Sequence, residues 1–192
     1  MTKKQYTLIS LTILAAVVVC YSSSLYSGFI WDDKFLVAEN PIIRAPLWSG
    51  YLFTQDPANS GFSFTIYYRP MQMLSYALDY RIWGLNPFGF HLTNMLIHFF
   101  NGLLVFFLTK KITGREPLAI MASLLFVVNP AHAGAVSYIS GRADLLMFFF
   151  GFLSMLCFYL FKKKGDSPHL AGSAVFFVFA LLSKEAAIII PF

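Results

Sequence analysis

The chain has 192 residues, of which 58% are hydrophobic, 18% aromatic and only 12% charged, with a formal net charge of +5. A soluble domain carries about 25% charged residues; with a mean hydropathy of +0.66, the composition excludes an ordinary soluble globular domain and indicates an all-α integral membrane protein. The positive balance does not imply nucleic acid as a partner, because the basic residues lie in short clusters at the ends of apolar runs and form no continuous stripe.

Lys3 and Lys4 precede an apolar run over 8–27. Its exit, Ser22-Ser23-Ser24-Leu25-Tyr26-Ser27, lacks an Ala-x-Ala cleavage pattern, so the run reads as an uncleaved first span. At Gly28-Phe29-Ile30-Trp31-Asp32-Asp33-Lys34 the run gives way to two adjacent carboxylates. Such a pair beside the bilayer either is a solvated loop start or, sheltered from bulk water, accepts a proton from a hydroxyl.

From 28 to 90 the sequence mixes charges, prolines and aromatics, as in Pro41-Ile42-Ile43-Arg44-Ala45-Pro46-Leu47-Trp48 and Asn59-Ser60-Gly61-Phe62-Ser63-Phe64. This is the expected large first extracytoplasmic loop. Within it, Met71, Leu74, Ala77, Leu78 and Ile82 recur at helical spacing between Pro70 and Trp83. They predict a helix that lies in the membrane interface or packs on protein.

Four further spans are expected over about 91–109, 118–138, 144–161 and 169–183, making five. His91, Asn94, His98 and Asn101 recur at steps of three and four and so share one helix face, which either packs against other helices or contacts a substrate or solute path. Asn129-Pro130 breaks the third span and frees backbone groups that hydrocarbon cannot satisfy. Cys20 and Cys157 fall inside apolar runs, which gives neither metal spacing nor a disulfide framework. The run Ile188-Ile189-Ile190-Pro191-Phe192 has no polar exit and reads as an interrupted chain.

With five spans, Lys3/Lys4, Lys110/Lys111/Arg115 and Lys162/Lys163/Lys164 fall on one side, which the positive-inside rule makes cytoplasmic, together with the N-terminus. The other side then holds Asp32 and Asp33, Tyr68-Arg69-Pro70, the segment from His132 to Asp144, and Ser183-Lys184-Glu185. Singly, these are ordinary span-end charges. Together they give carboxylates for a hydroxyl and cations for a phosphate.

The ordered motifs Trp31-Asp32-Asp33, Asn40-Pro41, Tyr68-Arg69-Pro70, Leu85-Asn86-Pro87-Phe88-Gly89-Phe90-His91-Leu92-Thr93-Asn94 with His98, Asn129-Pro130-Ala131-His132, Gly141-Arg142-Ala143-Asp144-Leu145 and Leu182-Ser183-Lys184-Glu185 resemble a known family. It is the N-terminal membrane half of the transmembrane and tetratricopeptide-repeat protein O-mannosyltransferases and their bacterial relatives, in the GT-C glycosyltransferase superfamily. The resemblance implies that residues 1–192 are a partial GT-C-like membrane domain. The activity it implies is transfer of a sugar, mannose among the options, from a polyprenyl- or dolichyl-phosphate carrier to a protein or glycan hydroxyl outside the cytoplasm. The membrane would be a bacterial inner membrane or the endoplasmic reticulum.

Carried onto this chain, the resemblance makes Asp32 the base and Asp33 its second choice or orienter. It makes Arg69, Arg142, Lys184 and, more weakly, His132 the lipid-phosphate contacts, with Tyr68, Asp144, Glu185 and His91 in support. Asp144 and Glu185 are expected to pair with Arg142 and Lys184. No metal ligand set or other cofactor is implied. Where relatives often carry His-Pro-x-His this chain has Asn129, which removes the first His. Two other readings of the residues are a transporter-like fragment and a non-catalytic membrane fragment.

Overall fold

Helix α1 (Lys3–Tyr21) begins at a capping box in which the Gln5 N–H donates to Thr2 Oγ1 (3.4 Å) and the Thr2 N–H donates to Gln5 Oε1 (2.7 Å). A 3-10 turn, Ser22–Tyr26, extends it to a 24-residue apolar stretch, enough to cross a hydrocarbon core of about 30 Å. The structure is a computed structural model that describes residues 2–47, 50, 53 and 68–190. Trp48, the segment from Asn59 to Phe64, Tyr67 and Phe192 lie outside the described residues, so the expectations placed on them are not met with a structure.

The remaining helices are α2 (Pro70–Trp83), α3 (Pro87–Thr113), α4 (Glu116–Val128), the short α5 (Ala133–Ser137), α6 (Arg142–Lys164) and α7 (Ser167–Leu181). There is no strand among the described residues. Proline near the start and glycine just past the end set several of these limits. In α3, Pro87 opens the helix behind Asn86, whose side chain accepts the Phe88 N–H (3.2 Å), and Gly114 closes it in the left-handed conformation at φ 69°.

Three stretches are long and apolar enough to cross a membrane: Lys3–Tyr26, Pro87–Thr113 and Ile139–Lys164. A fourth is available if α4 and the segment Pro130–Ser137, bent by 47° at Asn129, form one broken span. The fifth expected span is the 15-residue α7. At 1.5 Å per residue it reaches about 22 Å, short of the hydrocarbon core by itself.

The helix expected over Pro70 to Trp83 is there, and it packs on protein along one side, where Tyr76 and Ala77 are fully buried. On its other side Leu78, Ile82 and Trp83 are exposed, an apolar and aromatic face suited to interfacial depth.

Helix α3 is the hub, touching α1, α2, α4, α5 and α6, while α6 pairs with α7. Close approach is possible where α3 meets α1 and α4 because residue 102 is glycine: a Cβ there would lie 2.5 Å from Val127 Cγ1 and 3.1 Å from Ile13 Cγ2. The polar face of α3 turns inward, and His91, Asn94, His98 and Asn101 are at most 1% exposed. Asn101 donates to the Leu145 carbonyl of α6 (3.0 Å). His98 Nε2 and the Tyr21 hydroxyl both reach the Val127 carbonyl (3.1 Å each). The break explains that carbonyl's need: the Ala131 N–H, its helical partner by position, donates instead to Asn129 Oδ1 (3.0 Å). This face therefore lies between helices.

Arg142, at the head of α6, ties three helices together with no exposed surface. Its Nε donates to Asn94 Oδ1 (2.7 Å), Nη2 to the Phe90 carbonyl (2.7 Å) and Nη1 to Ser75 Oγ (3.3 Å). Nη1 also pairs with Asp79 Oδ2 (2.6 Å), and the guanidinium lies 4.7 Å from the Tyr76 ring centroid.

The two ends of the bundle differ in charge. At one end Lys110 donates to Tyr6 (3.0 Å) and Glu116 (2.9 Å), and the Tyr159 hydroxyl donates to the Lys111 carbonyl, joining the lysine-bearing ends of α1, α3 and α6 to the start of α4. The candidate site lies at the other end.

Removing the cation from the Arg142–Asp79 pair strands a buried carboxylate. Arg142→Gln is therefore expected to lower the unfolding free energy by about 3–5 kcal/mol. Adding Asp79→Asn should restore part of the loss, as read by thermal unfolding in detergent.

Candidate active site

The acidic turn is built from its own backbone. The Asp33 N–H donates to the Ile30 carbonyl (2.9 Å), while Asp33 Oδ2 accepts the Ile30 N–H (3.2 Å). This reciprocal closure holds Trp31 at φ 43°, a left-handed conformation that a bulky side chain adopts rarely and at a cost of about 1–3 kcal/mol. Asp33 is fully buried, and its Oδ1 accepts the Ser140 N–H (2.8 Å). Burial outweighs these backbone donors and pushes its pKa above the ordinary 3.8. Asp32, the next residue back, is exposed, and its backbone N–H donates to the Tyr138 hydroxyl (3.0 Å). The two acids thus have separate positions: Asp33 is an internal fastener and Asp32 faces outward.

The segment that receives Asp33 is itself fixed on several sides. Asn94 Nδ2 donates to the carbonyls of Val136 (3.3 Å) and Tyr138 (3.0 Å), the Tyr76 hydroxyl to that of Ile139 (2.9 Å), and Gln72 Nε2 to that of Ser140 (2.9 Å). Gly141 lies against the preceding helix so closely that a Cβ would come within 2.6 Å of the Gly134 carbonyl oxygen. Side chains thus satisfy the backbone of this irregular segment between α5 and α6.

The expected pairs of charges are crossed. Asp144 pairs with Lys184 (2.6 Å) and Glu185 with Arg69, through contacts of 2.8, 3.1 and 3.2 Å. Arg142 has the buried Asp79 instead. The reason is directional, since residues two apart on a helix face different ways, which keeps Arg142 from Asp144. Lys184, on extended backbone, and Glu185, the first residue of the 3-10 turn Glu185–Ile189, reach separate partners. These two pairs join the Leu182–Glu185 strap to the starts of α6 and α2, and the Met71 N–H donates to the Leu182 carbonyl (3.2 Å).

Arg69 and Lys184 are therefore tied to the same strap, and Arg69, just before α2, is linked to Asp33 through Gln72 and Ser140. The Arg142 guanidinium is enclosed and offers no exposed face to a phosphate, in contrast to the contact expected of it. His132 is half-buried with its ring against Phe126 and His98 (centroids 4.5 and 5.4 Å apart). His91 is buried at the first turns of α3, and the Tyr68 hydroxyl donates to the Phe53 carbonyl (2.7 Å). No group of three or more His, Cys, Asp or Glu side chains among the described residues is placed to hold a metal ion.

The sequence reading missed Asp79, Gln72, Tyr76 and Tyr138 as parts of this end. The first three had a signal: Gln72, Tyr76 and Asp79 recur at steps of four and three, so one stripe of α2 is polar. Tyr138 had none, because its partner lies 106 residues away.

Comparison with known proteins adds an independent finding. A family model described as dolichyl-phosphate-mannose-protein mannosyltransferase matches residues 58–188. Protein O-mannosyl-transferase TMTC1 of Homo sapiens is 36% identical over 161 residues, covering 81% of this chain and 18% of that protein. Protein O-mannosyl-transferase TMTC3 of Homo sapiens is 32% identical over 184 residues, covering 92% and 20%. Protein O-mannosyl-transferase Tmtc1 of Drosophila melanogaster is 29% identical over 180 residues, covering 88% and 20%. The chain spans about a fifth of the length of these relatives. No solved structure matches it.

The separation of the two acids is measurable. Asp33→Ala leaves the Ile30 and Ser140 N–H groups without their acceptor and is expected to cost about 1–3 kcal/mol of stability. Asp32→Asn, at an exposed side chain, should stay within about 0.5 kcal/mol of the parent by the same thermal measurement. Because native Asp33 holds its proton more tightly than the unfolded chain does, its ionisation lowers stability as pH rises from 3.8 through its raised native value. Asp33→Asn should remove that component from the dependence of melting temperature on pH.

Proposed function

Since the chain belongs to the dolichyl-phosphate-mannose-protein mannosyltransferase family, we propose that it forms part of a membrane enzyme that moves mannose from a dolichyl- or polyprenyl-phosphate carrier to a protein hydroxyl. The reaction takes place on the extracytoplasmic side, with the lysine-rich end and the N-terminus in the cytoplasm and the chain crossing the membrane five times. In this topology α7 completes its crossing with its flanking residues, and 28–90 is the extracytoplasmic loop.

The observation that supports the reading is that an exposed carboxylate, Asp32, and two partly exposed cations, Arg69 and Lys184, belong to segments tied to one another, Asp33 to Ser140, Ser140 to Gln72 of α2, and Arg69 and Asp144 to the Leu182–Glu185 strap. Transfer breaks the bond between the sugar's anomeric carbon and a phosphate oxygen, and the phosphate departs with the electron pair. Asp32 takes the proton of the acceptor hydroxyl as its oxygen bonds to that carbon. A departing phosphate needs cations and donors more than a general acid, and Arg69 and Lys184 supply them, with His132 as a further candidate contact.

Both cations are held by carboxylates, yet the pairs are partly open to solvent, with side-chain exposures of 18% and 59% for Arg69 and Glu185 and of 26% and 34% for Lys184 and Asp144. Such pairs are worth about 0–1 kcal/mol, so exchanging a carboxylate for a lipid phosphate costs little. Asp33 and Arg142 serve this chemistry from behind, by fixing the turn and the segment beside it. The transporter reading loses its support, because the polar face of α3 that was to line a solute path is buried between helices.

Asp32→Asn in the full-length protein is expected to lower mannosyl transfer from dolichyl-phosphate mannose at least about 100-fold, with expression and membrane insertion unchanged. Arg69→Ala or Lys184→Ala should raise the KM for the donor about tenfold. Full turnover by Asp32→Asn would refute the assignment of the base.

A further inference from the structure

We propose that Tyr138 is the positioning residue of Asp32, holding through its hydroxyl the one turn from which that carboxylate can face a substrate. This rests on the mannosyl-transfer reading and adds a residue that neither the ordered motifs nor an acid–base argument singles out.

Three independent observations meet at Tyr138. Its hydroxyl accepts the backbone N–H of Asp32 (3.0 Å), so it acts on the main chain of that residue and leaves the carboxylate unencumbered. Its ring lies edge-to-face with Trp31, at a centroid distance of 6.2 Å. Its own carbonyl is held by Asn94 (3.0 Å), which also accepts from Arg142 (2.7 Å), so the hydroxyl is presented from a rigid base.

The strain at Trp31 shows why such a hold is needed. A tryptophan at φ 43° persists only where its surroundings over-determine it, and an unsupported turn would relax to negative φ and re-aim Asp32. Asp33 closes the turn from inside through Ile30 and Ser140. In the peptide between Trp31 and Asp32 the carbonyl accepts the Lys34 N–H (3.2 Å) within the turn, and the N–H is held from outside it, by Tyr138. Trp31 itself is 78% exposed, so burial contributes little to keeping its ring in place.

The test uses the full-length protein with dolichyl-phosphate mannose as donor and a serine- and threonine-containing peptide as acceptor. Tyr138→Phe keeps the ring contact and removes the hydroxyl. We expect kcat to fall about tenfold with the donor KM and the melting temperature unchanged. Trp31→Asn, which tolerates a left-handed φ but loses the ring against Tyr138, should lower kcat in the same manner. Parental kcat in Tyr138→Phe, or a loss of kcat matched by a loss of melting temperature or a rise in donor KM, overturns the proposal. If Asp32→Asn is inactive while Tyr138→Phe is unaffected, only the positioning role fails. If Asp32→Asn keeps full turnover, the assignment of Asp32 as base fails and the positioning role with it; if the parent protein transfers no mannose in this assay, the mannosyl-transfer reading itself fails.

Discussion

A fully buried arginine needs a full set of partners, and the arrangement of this protein follows from meeting that need. Arg142 is satisfied by a carboxylate from α2, an amide oxygen and a main-chain carbonyl from α3, and a hydroxyl from α2. Removing any of them leaves a charge or donor unpaired at low dielectric, where the cost is greatest. This requirement holds α2 against α3 and α6, although α2 is too short to be a span. It also sets the height at which α6 begins, and so the position of the irregular segment before it.

That segment shows how non-helical backbone is kept among packed helices. Its carbonyls are taken by Asn94, Tyr76 and Gln72, and one of its amides by Asp33. The broken helix beside it is treated alike, with Tyr21 and His98 sharing the Val127 carbonyl. Side chains from distant stretches of sequence do the work that regular helix does elsewhere. The outcome is a stiff floor beneath the acidic turn, which lets Asp32 stay exposed without being loose. On the proposed function such stiffness would matter, since a base acts only within hydrogen-bond reach of the proton it takes.

The charges around this floor divide by burial. Arg142, Asp79 and Asp33 are enclosed and hold the fold. Arg69, Lys184, Asp144, Glu185 and Asp32 reach solvent in part or wholly. Residues that look equivalent in sequence, the neighbours Asp32 and Asp33 or the arginines at 69 and 142, therefore have opposite surroundings. Their immediate neighbours in sequence do not reveal this, because burial is a property of what other elements cover.

By itself the sequence determined the membrane class, the helical segments, the polar face of α3, the break at Asn129-Pro130 and the family, because hydropathy, periodicity, proline chemistry and ordered motifs are local and survive without coordinates. It also placed the lysine clusters apart from the acidic and Arg-bearing motifs. Tertiary structure decided who pairs with whom: Asp79 for Arg142, Lys184 for Asp144, Arg69 for Glu185, Tyr138 for the amide of Asp32. Those choices depend on helix rotation and on the crossings permitted by residues such as Gly102, and a rotation of one residue, about 100° on a helix, exchanges one partner for another.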